Sequence, residues 1–204
     1  MLTKRSHILV AAIATIFCCL SMIYVSCTKV GGTLACNGVT CENGGYCNDS
    51  GFCVCPVGFE GVNCGTASVA KFIGDWDVTS VITGSDSADV IGQQTKYTMA
   101  FLTAATPTSF LIQNFLGNPN YNAVIGIIDS FTKTDPNYKN KFSLDTGSFD
   151  THIIGAGLVI GLGSGGTLNP SNNSINAVFN IDRVNSFINR EHDTLTLYMT
   201  PHHL

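Results

Sequence analysis

Residues 71–83 read KFIGDWDVTSVIT, and the segment alternates. Phe72, Gly74, Trp76, Val78, Ser80 and Ile82 fall on one side, and Asp75, Asp77, Thr79 and Thr83 on the other. A period of two marks a strand with one buried and one solvated face. Strand-like segments return at residues 95–104, 109–116, 122–128, 141–144, 152–162, 174–181 and 194–200. In the last of these, Leu195, Leu197 and Met199 alternate with Thr194, Thr196, Tyr198 and Thr200. Breakers separate the segments: NPN at 118–120, TDPN at 134–137 and SGGTLNPSNN at 164–173. No long stretch has a helical period. The pattern predicts a mainly β domain over residues 68–204, an antiparallel meander of about eight strands. Closing the meander into a barrel would remove its exposed edges. A β-sandwich is the other architecture that buries one face of every strand.

The N-terminal pattern is different. Lys4 and Arg5 precede an apolar run over residues 8–25, interrupted only by Thr15 and Ser21. A positive start and an apolar core predict a secretory signal over residues 1–26. The run ends at Tyr24, Val25, Ser26 and Cys27. That ending resembles a bacterial lipobox, in which small residues precede a cysteine that is lipidated and becomes the new N-terminus. Val25 and Ser26 fit; Tyr24 stands where Leu is usual. The resemblance implies a lipid on Cys27, a linker over residues 27–33, and a chain anchored in the cell envelope, at the outer membrane or cell surface. The run is also about as long as the shortest membrane-spanning helix, so an uncleaved anchor is a second reading. Either way the residues after Cys27 lie outside the cytoplasm.

Composition narrows the picture. Of 204 residues, 45% are hydrophobic and only 12% charged, and Gly occurs 21 times. The formal charge is -4. Without the leader it would be near −6, with eight basic against fourteen acidic residues, since Lys4 and Arg5 depart and no acid does. No basic footprint for nucleic acid or anionic lipid is present.

Six cysteines crowd into the segment between leader and strands: Cys36, Cys41, Cys47, Cys53, Cys55 and Cys64. An even count in a short, Gly-rich, exported segment predicts a disulfide framework. So small a segment cannot bury enough apolar surface to fold unaided. Each bridge would contribute about 2–4 kcal/mol. Spacing alone leaves about 15 pairings open. A zinc site fits poorly, because the segment has a C-x-C step and no histidine. The spacing C-x4-C-x5-C-x5-C-x-C-x8-C, with NGG before the third cysteine and CPVGFEGVNC at the end, resembles an EGF-like domain over residues 34–65. This resemblance implies the pairs Cys36–Cys47, Cys41–Cys53 and Cys55–Cys64. Calcium is not expected, because Thr33, Leu34 and Ala35 stand where calcium-binding members supply oxygen ligands.

The G-x-W of Gly74, Asp75 and Trp76 on the first long strand resembles the opening motif of the lipocalins, or calycins. In that superfamily the tryptophan plugs the closed end of an eight-stranded barrel. Small calycin-like domains of Bacteroidota lipoproteins, some of them following an EGF-like unit, are similar. The resemblance implies that Gly74 and Trp76 close the barrel and that a late arginine, Arg183 or Arg190, lies over the tryptophan. Loops 84–93, 117–121 and 164–173 would then form the opposite end. Phe101, Phe110, Phe115, Phe179 and Met99 are large enough to fill such a barrel. Gly126, Gly155, Ala156, Gly157 and Gly161 would leave room or let strands bend.

Motifs for chemistry are weak. Residues 161–166, GLGSGG, match G-x-G-x-x-G, but TLNPSNN follows where a phosphate cradle needs a helix, so a flexible hairpin loop is expected. Ser164 lacks the first glycine of a nucleophile elbow, since Leu162 stands there. His152, His192, His202 and His203 show no metal-ligand spacing. No catalytic residue, metal or cofactor is called for. The sequence reading is a non-enzymatic envelope lipoprotein, an EGF-like spacer carrying a barrel that binds a small apolar ligand or a protein partner. The alternatives are a structural or adhesion module with a filled barrel and, further off, an enzyme.

Overall fold

A computed structural model of the chain describes residues 35–128, 138–145, 148–150, 157–184 and 190–203. The leader, Cys27, the linker, His152, Gly155 and Ala156 lie outside the described residues.

The fold is mainly β. Strands β1 (Tyr46–Cys47) with β2 (Cys53–Val54), and β3 (Phe59–Glu60) with β4 (Thr66–Ala67), form two short hairpins. The rest form one sheet: β5 (Gly74–Ser85), β6 (Gln94–Thr103), β7 (Ser109–Gln113), β8 (Val124–Ile128), β9 (Lys141–Leu144), β10 (Ser148–Asp150), β11 (Gly157–Ile160), β12 (Gly165–Asn169), β13 (Ser174–Val184) and β14 (Arg190–Pro201). Every pairing is antiparallel, and β14 returns to β5, so β5-β6-β7-β8-β9-β12-β13-β14 close an eight-stranded barrel. One side of β13 is shared. Residues 174–178 pair with β12, and residues 181–184 with β11, which pairs in turn with β10. Closure is the expected answer to the alternating pattern, since no long edge is left exposed.

Trp76 pairs with Met99 and Pro201 at one end, the base, while Ser85 pairs with Asp193 at the far end. Along β5, Trp76, Val78 and Ser80 are buried and Asp75 and Asp77 exposed, as the alternation predicts. Gly74 has a φ of 142°, a region that side-chain-bearing residues rarely adopt, so a glycine starts this strand for a backbone reason.

The chain departs from the sequence reading in three places. Expected strand 109–116 ends at Gln113, because Asn114 and Leu116 both have a φ of 54° and turn the chain inward. Residues 165–169 form β12, where a loop was expected, because they complete the sheet between β9 and β13. The remaining turn at residues 170–173 joins β12 to β13 at the Trp76 end, since Ile175 pairs with Met199 and Met199 with Val78. It therefore does not join loops 84–93 and 117–121 at the far end.

Three disulfides hold the small module: Cys36–Cys47, Cys41–Cys53 and Cys55–Cys64. The module sits on the barrel base. Thr66–Ala67, between the two expected domains, pairs with β3, and Ser68 N–H donates to the Gly58 carbonyl at 2.8 Å. Lys71 Nζ bridges Glu60 at 2.9 Å and Asn140 at 3.4 Å. Gly58, at a φ of 90°, lies against Pro107 and Thr108, where a Cβ would come within 2.9 Å of both side chains. A cleft of about 370 Å³ remains at this junction, lined by Pro56, Phe59, Thr108, Ile128 and Lys139 among others.

Candidate functional site

The barrel interior is the place to look for a ligand, and aromatic rings occupy its lower half. Trp76 is 3% exposed, and its Nε1–H donates to the Phe72 carbonyl at 2.9 Å. Near it Phe101 stacks on Phe110 with centroids 4.9 Å apart, and Phe142 stands edge-on to Phe110 at 5.2 Å. Phe72 enters from below the first strand and lies 5.7 Å from Phe110 and 5.5 Å from Phe142. Each ring pair of this geometry adds roughly 0.5–1.5 kcal/mol beyond its area burial.

Two of these rings fit because their cross-strand neighbours are glycines. In register, Phe110 faces Gly126 and Phe142 faces Gly166. A Cβ on Gly126 would lie under 3.0 Å from Phe110 Cζ, Cε2 and Cε1, and one on Gly166 2.7 Å from Phe142 Cε1 and Cζ. Gly126 therefore leaves no void; its missing side chain is the space the Phe110 ring fills.

Half-way up, the connection between β7 and β8 dips into the barrel. Asn114 Nδ2 donates to the Thr98 carbonyl at 2.6 Å, and Phe115 N–H to the Tyr121 carbonyl at 3.1 Å. These bonds hold Phe115, fully buried, against Phe179 of β13 at 5.3 Å. The loop thus sets a second aromatic layer above the first. Beside it lies Tyr97, whose hydroxyl is buried with no hydrogen-bond partner among the described residues. Ser80 is close by but points its own hydroxyl at the Thr95 carbonyl, 3.4 Å away.

Burial pushes the Tyr97 phenol from 10.0 up to about 12, against a smaller opposing pull from the Ser80 hydroxyl. An unfolded chain releases this proton near pH 10, and the folded chain keeps it to about pH 12. Its contribution is fully present below pH ~10 and falls by ~1.4 kcal/mol per pH unit until about pH 12. Tyr97→Phe is expected to remove that part of the alkaline loss. At neutral pH it should leave Tm within about 2 °C, because the interaction it removes, with the Ser80 hydroxyl, is weak. Urea melts of both proteins from about pH 9 to about pH 12 test this; equal alkaline slopes would refute it.

At the far end Arg183 and Asp193 form an ion pair on the inner face. The Asp193 side chain is 1% exposed and that of Arg183 42%. Asp193 Oδ1 and Arg183 Nε are both buried without a hydrogen-bond partner among the described residues. Arg183 therefore does not lie over Trp76. It pairs in register with Glu191, ten residues along β14 from Pro201, the partner of Trp76. Arg190 pairs with Val184 at the same far end. In place of an arginine, Phe101 lies 6.0 Å from the indole. Sequence reasoning passed over Asp193 as a flank of His192; its position on the inward row with Leu195, Leu197 and Met199 was the available signal.

The other candidates are spread over the outside. His192 Nδ1 meets Asp182, and His202 Nδ1 meets Asp77 at 2.7 Å. Among the described residues no group of three or more His, Cys, Asp or Glu comes together to hold a metal. Ser164 is buried, donating to the Gly161 and Asn180 carbonyls at 2.9 and 3.1 Å and accepting from Asn180 N–H. Residues 161–166 thus form a fixed turn running into β12, and no helix N-terminus follows them. Among the described residues no helix is long and apolar enough to cross a membrane.

These features define a closed, antiparallel, eight-stranded β-barrel protein with a three-disulfide module on its base. No protein-family model matches the chain, and no curated protein matches it significantly.

Proposed function

We propose that this chain is a non-enzymatic lipoprotein of the cell envelope, in which an EGF-like module and a filled, lipocalin-like barrel together present a rigid surface to a protein partner. The observation that carries this reading is the pairing of inner phenylalanines with glycines. Phe110 and Phe142 fill the space beside Gly126 and Gly166 near the base, space that an apolar ligand would otherwise take. Two more observations support it. On the outer face Leu102, Leu111 and Ile125 stand side by side across β6, β7 and β8, and Leu102, Ile125 and Ile127 are all exposed. Exposed aliphatic strips of this kind mark association surfaces. The module is also held against the barrel base, by Gly58 packing on Pro107 and Thr108 and by Lys71 bridging Glu60 and Asn140, so the two present one continuous surface.

A thermal-shift series on the mature chain with palmitate, cholesterol and haemin tests the reading. A ligand at 100 times its Kd would stabilise the fold by about 2.7 kcal/mol, a shift of several degrees. No shift is expected. A shift of that size with any of the three would restore the apolar-ligand reading.

A further inference from the structure

The disulfide module carries two exposed aromatic rings. Tyr46 is 65% exposed and Phe52 69%. Tyr46 lies on β1 opposite Val54, and Phe52 directly precedes β2. The barrel docks on Gly58, Glu60 and Ser68, and Val54 lines the cleft at that junction, beside Thr108 and Ile128. The two rings stand in solvent.

We propose that Tyr46 and Phe52 rest in the interfacial layer of a bilayer, as a second membrane contact beside the lipid on Cys27. The proposal rests on the lipid-anchor reading given above. Three observations select a lipid surface. The described chain begins at Ala35, whose backbone lies against Gly51 at the tip of this hairpin; a Cβ on Gly51 would be 2.8 Å from the Ala35 carbonyl oxygen. Seven residues lie between Cys27 and Ala35. The eight steps from Cys27 to Ala35 span at most about 29 Å when extended, so an anchor at Cys27 keeps the hairpin tip within that distance of the headgroups. Residues 35–65 contain Glu42, Asp49 and Glu60 and no Lys, Arg or His. Such a module has nothing to draw it to anionic headgroups, so its contact is with uncharged or zwitterionic lipid through apolar and aromatic side chains. Tyrosine suits this layer because its ring is apolar and its hydroxyl stays wet. The contact is weak alone and becomes significant because the anchor raises its local concentration. Its consequence is orientation: with the hairpin on the bilayer, the barrel docked on Gly58 and Ser68 is held off the surface at a fixed attitude.

The test uses the mature acylated chain on phosphatidylcholine vesicles, with hydrogen exchange read by mass spectrometry. Each protein is referenced to its own unacylated form free in solution. Amides of residues 46–54 are expected to exchange more slowly on vesicles in the wild type. The slowing should disappear in Tyr46→Ser/Phe52→Ser, while barrel amides stay alike in both proteins. Exchange over residues 46–54 that does not respond to vesicles overturns the proposal, and so does slowing that needs anionic lipid. The mass of the N-terminal peptide in the same sample separates the two claims. An unmodified Cys27 sinks the anchor and this proposal with it; an acylated Cys27 without slowing sinks the membrane face alone.

Discussion

Truncating Phe110 to alanine is expected to destabilise the barrel by about 3–5 kcal/mol, the largest loss from any single interior ring. Phe110 is fully buried and touches Phe72, Phe101 and Phe142. Its loss therefore empties the centre of the aromatic layer, and the neighbouring rings, among them Phe142 packed over Gly166, can only partly collapse into the space. Gly126→Ala attacks the same contact from the other side. The new methyl would lie under 3.0 Å from three ring atoms. Overpacking of this kind costs about 1–3 kcal/mol. The two changes are expected to be non-additive: with the ring gone, the methyl fills part of the void, and the double variant should recover at least about 1 kcal/mol relative to the sum. Urea denaturation of the four proteins measures the cycle. Additive effects would mean that the ring does not sit over the glycine, and the filled interior would lose its main support.

How far the sequence reveals this arrangement depends on the range of the interaction. Alternation over residues 71–83 and 194–200 is local, and it marks β5 and β14 because each of these strands has one wet and one dry face along its length. The crowding of Cys36 to Cys64 is local too, and it marks a module without a core of its own. Register is not local. Phe110 and Gly126 are sixteen positions apart, and only the β7–β8 pairing makes one the complement of the other. Read singly, Gly126 looks like spare room. The same limit hid β12, whose residues 165–169 carry two glycines and a flanking proline turn and are strand only because β9 and β13 flank them. The dip at Phe115 needs two left-handed residues, Asn114 and Leu116. Asparagine tolerates that conformation, but leucine rarely adopts it, so nothing in the run from Ser109 foretells the break. The Arg–Asp pair was legible only in part: Asp193 falls on the inward row of Leu195, Leu197 and Met199, but nothing local names Arg183 on the neighbouring strand as its partner.

That pair supplies the other large effect. Arg183→Met is expected to destabilise the fold by about 3 kcal/mol, because it leaves the Asp193 carboxylate buried with no cation beside it. The figure is at the lower end for a broken buried pair, since the Arg183 side chain is 42% exposed and water already reaches part of it. Asp193→Leu should be milder: it leaves an arginine that can extend into solvent along an apolar stem. Removing both charges as Arg183→Met/Asp193→Leu should restore most of the stability, because the site lies among Leu158, Ile181 and Leu195 and accepts apolar volume. If the pair served only to knit β13 to β14, the double variant would be at least as unstable as Arg183→Met. If the physical cause is the isolated buried charge, the order of stability is wild type and double variant first, Asp193→Leu next and Arg183→Met last. Thermal melts at neutral pH distinguish the two orders, since about 3 kcal/mol corresponds to a shift on the order of 10 °C in a domain of this size.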